Sequence, residues 1–278
     1  MGSVDIPGWH TLRVGTGDEV VLTVDFGADA GRTTAGFADL VPLLPQRYTV
    51  LVSSRTAWTG EPGGAAGPSA RLDAWLASAD QFGPEVVAVV GYCAGCRLAA
   101  AFTERLPGPR PPALVLLEPL PVLPRTLWYE YSEALTRLAP GLGEDVVEKA
   151  NERAWARADA TGTGATDIGD LAGWLSSSYA ELATRGCAEL DIDTEFADQL
   201  VHRMTGYLDY LTIAAAAPAT DPAAALVVRS HEPVPAELDG QLDELGARRL
   251  DLPRLELLGS REVADLVAGA LPSRAGQP

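Results

Sequence analysis

Apolar residues along the chain follow two periodicities, and the pattern changes over twice. From His10 to Leu117, short apolar runs alternate with longer amphipathic ones. Val86–Val90 is a continuous run of five apolar residues, mostly β-branched, as expected of a strand buried on both faces. His10–Val14 and Val20–Asp25, split by Gly15–Thr16–Gly17–Asp18, read as a hairpin. Tyr48–Ser53 and Ala113–Leu117 read as further strands. Between them, Phe37–Leu44 has Leu40, Val41 and Leu44 at helical spacing, although Pro42 interrupts it. Ser69 reads as the N-cap of a helix through Gln81, with Leu72, Trp75, Leu76 and Ala79 inward. Leu98–Leu106 is made of good helix formers and stops at Pro107–Gly108. Thr59–Pro68, rich in Gly and Pro, reads as a loop.

The pattern shifts at Arg125. From there to Ala217 no strand-like run interrupts a helical period, with helices expected near 126–138, 144–159, 168–185 and 194–216. This block holds Trp128, Tyr129, Tyr131, Trp155, Trp174, Tyr179, Phe196, Tyr207 and Tyr210, which suit either its own core or a substrate tunnel. Alternation then resumes: strand Ala225–Arg229, helix Ala236–Leu245, strand Arg248–Leu252, helix Ser260–Leu271. Strands alternating with helices on both sides of a helical block predict an α/β fold with a mostly parallel, doubly wound sheet. Residues 1–124 and 218–278 would form the core, and residues 125–217 an inserted helical lid. Such sheets bind ligands outside the carboxyl ends of their strands. The loop after Asp25, Cys93, Glu118 and the loop after Arg229 all stand there and should converge.

The apolar run at Val86–Val90 leads into Gly91–Tyr92–Cys93–Ala94–Gly95 and then directly into a helix. A sharp strand-to-helix turn with glycine on both sides is a nucleophile elbow, and its nucleophile position holds Cys93. The glycines allow a strained backbone and close packing of helix on strand.

Composition narrows the classes. The 278 residues are 47% hydrophobic, enough for a substantial core, and 38 acidic against 21 basic residues give a net charge of −17. That balance lacks the basic footprint of a nucleic-acid binder and argues against charge-driven binding to anionic membranes. No apolar run is long enough for a transmembrane helix. Met1–His10 lacks the basic start and apolar segment of a signal peptide. Three cysteines, Cys93, Cys96 and Cys187, make no disulfide framework and suit a reducing, cytoplasmic setting. Cys93–Ala94–Gly95–Cys96 also reads as a Cys-x-x-Cys dithiol, although the elbow explains Gly91 and Gly95 better. No histidine cluster accompanies the cysteines, so no metal is expected.

These residues resemble the α/β-hydrolase thioesterases that release chains from polyketide and nonribosomal peptide assembly lines. The resemblance runs through Val21–Gly31 as the first loop, Val89–Ala99 as the elbow, Leu114–Glu118 as the acid strand, and Leu250–Val267 at the end. Cysteine at the elbow of a compact chain is similar to the family's stand-alone Dieckmann cyclases, which offload tetramates or pyridones by carbon–carbon bond formation. The resemblance implies an acyl thioester substrate, delivered by an acyl or peptidyl carrier protein on a phosphopantetheine arm, with no other cofactor. It places the catalytic acid at Glu118, where aspartate is usual in the family. It places Arg254 where the family carries histidine.

The chemistry then depends on three groups. Cys93 at a helix N-terminus gains from the dipole and from unpaired N–H groups, which favour the thiolate. A thiolate attacks a thioester with less help from a base than a serine hydroxyl needs. The Ala94 amide and one near Gly27–Ala28 would form the oxyanion hole. The chain has only three histidines, His10, His202 and His231. His231 follows a strand on the same face of the sheet and is the expected base, oriented by Glu118 or Glu232; His202 on the lid is the weaker choice. Arg254 would alternatively stabilise the thiolate by charge, or bind a carboxylate or phosphate. Hydrolytic or macrocyclising release, and a non-catalytic relative that binds acyl chains or a partner, remain alternatives to Dieckmann-type cyclisation.

Overall fold

The computed structural model describes residues 6–26, 35–54, 67–83, 85–108, 111–218, 225–234 and 236–272. Among the described residues, seven strands form one sheet: β1 (Trp9–Arg13), β2 (Val20–Val24), β3 (Thr49–Ser53), β4 (Val86–Tyr92), β5 (Ala113–Leu117), β6 (Leu226–Arg229) and β7 (Arg248–Arg249). Their order is β1-β3-β2-β4-β5-β6-β7. All neighbours are parallel except β1 with β3.

The expected hairpin between the first two strands does not form. β1 pairs with β3 instead, and β2 lies between β3 and β4. The burial patterns explain the choice. β2 is buried at every position, whereas β1 alternates buried and exposed residues. A strand apolar on both faces belongs in the middle of a sheet, and an alternating strand at its edge. The connecting segment is held elsewhere: Thr16 and Gly17 donate their amides to the carbonyls of Gln46 and Arg47.

Helices fill the crossovers: α1 (Phe37–Leu40), α2 (Pro68–Ala77) and α3 (Gly95–Arg105) precede β5. The first is shorter than its apolar spacing predicts. Pro42 lacks an N–H, and the segment continues as a 3-10 turn over Val41–Leu43. Five helices follow β5: α4 (Pro124–Thr136), α5 (Ala139–Leu142), α6 (Glu144–Asp159), α7 (Ala165–Glu189) and α8 (Thr194–Ala216). After β6 come α9 (Ala236–Glu244) and, beyond a 3-10 segment at Arg254–Gly259, α10 (Arg261–Ala270).

The chain divides into two compact units. One comprises Met1–Ala57, Leu72–Leu120 and Ala217–Pro278; the other comprises Trp58–Arg71 and Pro121–Ala216. In the sheet-bearing unit, Trp9, Trp75, Phe82 and Phe102 form an aromatic cluster, with Trp75 and Phe102 centroids 4.6 Å apart. In the helical unit, Tyr131 and Tyr179 pack edge to face, and the Tyr131 hydroxyl bonds Ser178 Oγ at 2.9 Å. Gly141 on α5 faces the Gly186 carbonyl on α7 too closely for any side chain. Of this unit's aromatics, Tyr131, Tyr179, Tyr207 and Tyr210 are buried, while Tyr129, Trp155 and Phe196 are exposed. No helix among the described residues is long and apolar enough to cross a membrane.

The register decides what the sheet presents. Val24 lies beside Gly91, Tyr92 beside Leu117, and Leu117 beside Val228. The carboxyl ends of β2, β4, β5 and β6 are therefore level. Asp25, Cys93, Glu118 and Ser230, each just past its strand, come to one edge.

Candidate active site

At the end of β4 the chain turns sharply into α3. Cys93 occupies the turn with φ at +53°, a left-handed conformation that costs a residue with a Cβ free energy. Neighbouring bonds hold it there: the Cys93 amide donates to the Leu117 carbonyl at 3.0 Å, and the Cys96 amide to the Cys93 carbonyl at 3.1 Å. Gly91 makes the packing possible. A Cβ there would stand 2.5 Å from Cys96 Cα and 2.9 Å from Ala99 Cβ, so α3 lies directly on β4. Ala94 is buried at the start of α3, where backbone amides lack partners within the helix. The Gly27–Ala28 half of the expected oxyanion hole lies outside the described residues.

Glu118 has the second strained conformation. Its φ is +52°, at the end of β5 beside the elbow. Among the described residues, only Cys93, Glu118 and Asp191 are non-glycine residues with positive φ, and two of the three stand together here. Glu118 is buried, and its carboxylate accepts two hydrogen bonds from Ser230: from the amide at 2.7 Å and from Oγ at 3.1 Å.

Arg254 is brought to the elbow. Its Nη2 donates to Cys93 Sγ at 3.0 Å. Both backbone groups of Arg254 are held by side chains: its amide donates to Glu232 Oε1 at 3.0 Å, and its carbonyl accepts from the Tyr92 hydroxyl at 3.2 Å. A guanidinium against sulfur, at a helix N-terminus, favours the thiolate by direct charge attraction.

His231 is not in this cluster. Its ring is half-exposed, and Nδ1 pairs with Asp251 at 3.3 Å. Its amide donates to the Leu252 carbonyl, and its own carbonyl accepts from Arg249. Successive residues past a strand point opposite ways, so Ser230 turns in to Glu118 while His231 turns out to Asp251. His202 lies on α8, in the helical unit. His10 is exposed on the edge strand β1.

Cys96 is buried like Cys93 and differs from it in its partner, a backbone carbonyl in place of a guanidinium. Its thiol donates to the Leu117 carbonyl at 3.3 Å. Burial pushes this thiol well above its usual range, and the charge of Cys93 adds to that, followed by smaller contributions from Glu118 and Asp25. All three cysteines are free. Among the described residues, no group of three or more His, Cys, Asp or Glu side chains is placed to hold a metal ion.

Sequence reasoning overlooked Ser230 and Tyr92. Ser230 carries a readable signal, a small hydroxyl directly after an apolar strand at the carboxyl edge of the sheet, one position before His231. The bond from Tyr92 to a carbonyl 162 positions away has no local signal.

The chain matches no protein-family model and no curated protein. Solved structures do resemble it. A four-domain nonribosomal peptide synthetase bound to AMP and glycine aligns with a TM-score of 0.53 at 15% identity, over 96% of this chain and 20% of that one. The Vlm2 thioesterase domain with genetically encoded 2,3-diaminopropionic acid, bound with a dodecadepsipeptide, aligns with a TM-score of 0.51 at 15% identity, over 99% of this chain and 100% of that one. A second structure of that complex gives 0.51 at 16% identity, over 96% and 100%. The chain thus spans a fifth of the synthetase's length (20%) and the whole of the thioesterase domain's. With a mostly parallel seven-stranded sheet, a cysteine at the strand-to-helix elbow and helices inserted after β5, the chain has the α/β-hydrolase fold.

Proposed function

We propose that the chain releases acyl chains from a carrier protein in natural-product biosynthesis, with the Cys93 thiolate as nucleophile and Dieckmann-type ring closure as the release step. The observation that carries this reading is the Arg254 guanidinium 3.0 Å from a sulfur held at a positive-φ elbow. The likeness to thioesterase domains supports the substrate class, since the fold match covers 99% and 96% of this chain in the two structures.

The thiolate adds to the carbonyl of an acyl thioester carried on a phosphopantetheine arm. The oxyanion so formed is received by the Ala94 amide. Collapse breaks the bond to the pantetheine sulfur and leaves the acyl group on Cys93. Exchange between thioesters is near neutral in energy, so this step depends mainly on positioning. The departing pantetheine thiolate takes up the proton of an acidic C–H in the acyl chain. The resulting carbanion attacks the Cys93 thioester, forms the carbon–carbon bond of the ring, and expels Cys93 as thiolate. Glu118 acts within this site through Ser230, and His231 and His202 are not assigned to it. The partner is an acyl or peptidyl carrier protein, no metal is invoked, and the three free thiols fit a cytoplasmic setting.

The test is incubation with β-ketoamide-bearing acyl-N-acetylcysteamine thioesters, followed by intact-mass and product analysis. An acyl adduct on Cys93 and a cyclic product are expected, both absent in Cys93→Ala. Hydrolysed acid as the main Cys93-dependent product would overturn the cyclisation and leave a hydrolytic thioesterase. Absence of any adduct or turnover would overturn the enzyme reading in favour of a binding protein.

A further inference from the structure

We infer that Glu118, Ser230 and Glu232 form a relay of positioning residues that delivers the Arg254 guanidinium to Cys93, and that Glu118 therefore does not serve as charge partner of a catalytic base. This rests on the Arg254–Cys93 pair of the proposed function and extends it to residues that touch no substrate.

The relay is continuous. Glu118 Oε2 and Oε1 accept from the amide and hydroxyl of Ser230 at 2.7 and 3.1 Å. Ser230 Oγ in turn accepts from the Glu232 amide at 3.2 Å. Glu232 Oε1 accepts from the Arg254 amide at 3.0 Å, and Arg254 Nη2 donates to Cys93 Sγ at 3.0 Å. Tyr92, the residue before the nucleophile, closes the circuit by holding the Arg254 carbonyl.

Three features set this apart from incidental bonding. Glu118 and Ser230 are both buried, so removing either partner leaves an unpaired polar group away from water. Glu118 is held at a positive φ, strain that places its carboxylate at the end of β6 and needs compensation. Arg254 is bound at both its amide and its carbonyl by side chains, which fixes its Cα, while a long arginine side chain otherwise loses much rotamer entropy to reach one sulfur. The Glu118–Ser230, Glu232–Arg254 and Arg254–Cys93 links each join loops that follow different strands, and the Ser230–Glu232 bond fixes the loop between them, which is what a guanidinium outside regular α or β structure requires to keep a 3.0 Å contact. Among the described residues, the titratable groups that these bonds and charges bring to this edge of the sheet include Cys93, Cys96, Tyr92, Glu118, Asp25, Glu232 and Arg254.

The experiment measures the pH midpoint of Cys93 alkylation by iodoacetamide on the full chain, followed by peptide mass, alongside thermal melting. Variants are Ser230→Ala, Glu232→Ala, Glu232→Gln, Glu118→Gln, Arg254→Gln and the pair Glu232→Ala with Arg254→Gln. Glu232→Ala and Ser230→Ala are expected to raise the midpoint by about one pH unit, tenfold in proton affinity. Glu232→Gln keeps the acceptor oxygen and should restore the wild-type midpoint. The double variant should match Arg254→Gln alone, because the relay acts only through that guanidinium. Lower melting temperatures with unchanged midpoints in Ser230→Ala and Glu232→Ala, while Arg254→Gln shifts its own, would overturn the relay. If Arg254→Gln leaves the midpoint in place, the ion pair itself fails, and with it the proposed function. Should Glu118→Gln not fold, the two loop variants decide the matter.

Discussion

Replacing Arg254 by glutamine removes the positive charge from the elbow and keeps a planar donor of similar shape. The loss is calculable. The guanidinium nitrogen stands 3.0 Å from Cys93 Sγ. Opposite unit charges about 4 Å apart attract by about 1 kcal/mol in water and about 4 kcal/mol at the effective permittivity of a protein surface. Cys93 is buried and Arg254 half-buried, so the interaction falls between these limits. One pH unit corresponds to about 1.4 kcal/mol. The alkylation midpoint of Cys93 should therefore rise by about one to three units in Arg254→Gln. Arg254→Lys keeps the charge on a more mobile, more strongly hydrated group and should fall between. The assay is the rate of iodoacetamide modification from pH 4 to 10, with thiolate absorbance near 240 nm as an independent reading of the same ionisation. At pH values above both midpoints the variant and wild-type rates should converge, because both are then fully thiolate. Superimposed profiles would show that the guanidinium does not stabilise the thiolate. A variant rate that stays low at high pH would show that Arg254 governs access and not charge.

Other measurements follow from the same geometry. Iodoacetamide at neutral pH should modify Cys93 and spare Cys96, whose thiol is pushed well up by burial and tied to the Leu117 carbonyl; peptide mapping that finds Cys96 modified first would contradict the assignment. Gly91→Ala forces a methyl to within 2.5 Å of Cys96 Cα, so α3 must lift from β4. Overpacking of this kind costs about 1–3 kcal/mol, read as a lower melting temperature together with slower acylation. In the helical unit, burial pushes the Tyr179 phenol up to about 12. An unfolded tyrosine ionises near pH 10, so the folded state holds this proton more tightly, and stability is retained below about pH 10 and lost towards pH 12. The full effect is about 3 kcal/mol, and denaturation midpoints of Tyr179→Phe should decline less steeply above pH 10 than those of the wild type.

The elbow was legible because its signal is local: an apolar β-branched run, two glycines and a helix-forming segment stand in one stretch. The helical insertion was legible for a similar reason, since a long absence of strand pattern is itself a pattern. The pairing of β1 was not. A tight-looking link at Gly15–Asp18 suggested a hairpin, but local turn chemistry competed with burial, and burial of both faces of β2 prevailed. The site was legible in part. Arg254 was singled out by the resemblance, as the residue standing where that family carries histidine, yet its contact with sulfur depends on Glu232 and Tyr92, which lie 22 and 162 positions away. His231 and Ser230 are adjacent in sequence, and only the direction in which each side chain leaves the backbone separates them. That direction follows from the register of β6 on β5, which no local pattern encodes.

An arginine beside the sulfur changes the proton balance of the reaction. A histidine both stabilises a thiolate and accepts a proton from an incoming nucleophile. A guanidinium does the first and not the second, because it is already protonated at every working pH. On the proposed reading, Cys93 is charged before substrate arrives, so acylation proceeds without a base. Water attacking the acyl-enzyme must lose a proton, and Arg254 cannot take it. A carbon acid flanked by two carbonyls is much more acidic than water, and the thiolate released in the first step is basic enough to ionise it. An arginine beside Cys93 therefore leaves hydrolysis without a base while, on the proposed reading, ring closure is supplied with one. Arg254→His tests this directly. An imidazole in that position should raise the fraction of acyl-enzyme lost to hydrolysis as pH rises through its own ionisation, while the cyclic product falls. A hydrolysis-to-cyclisation ratio unchanged from wild type across that range would show that the residue beside Cys93 does not decide the fate of the acyl group.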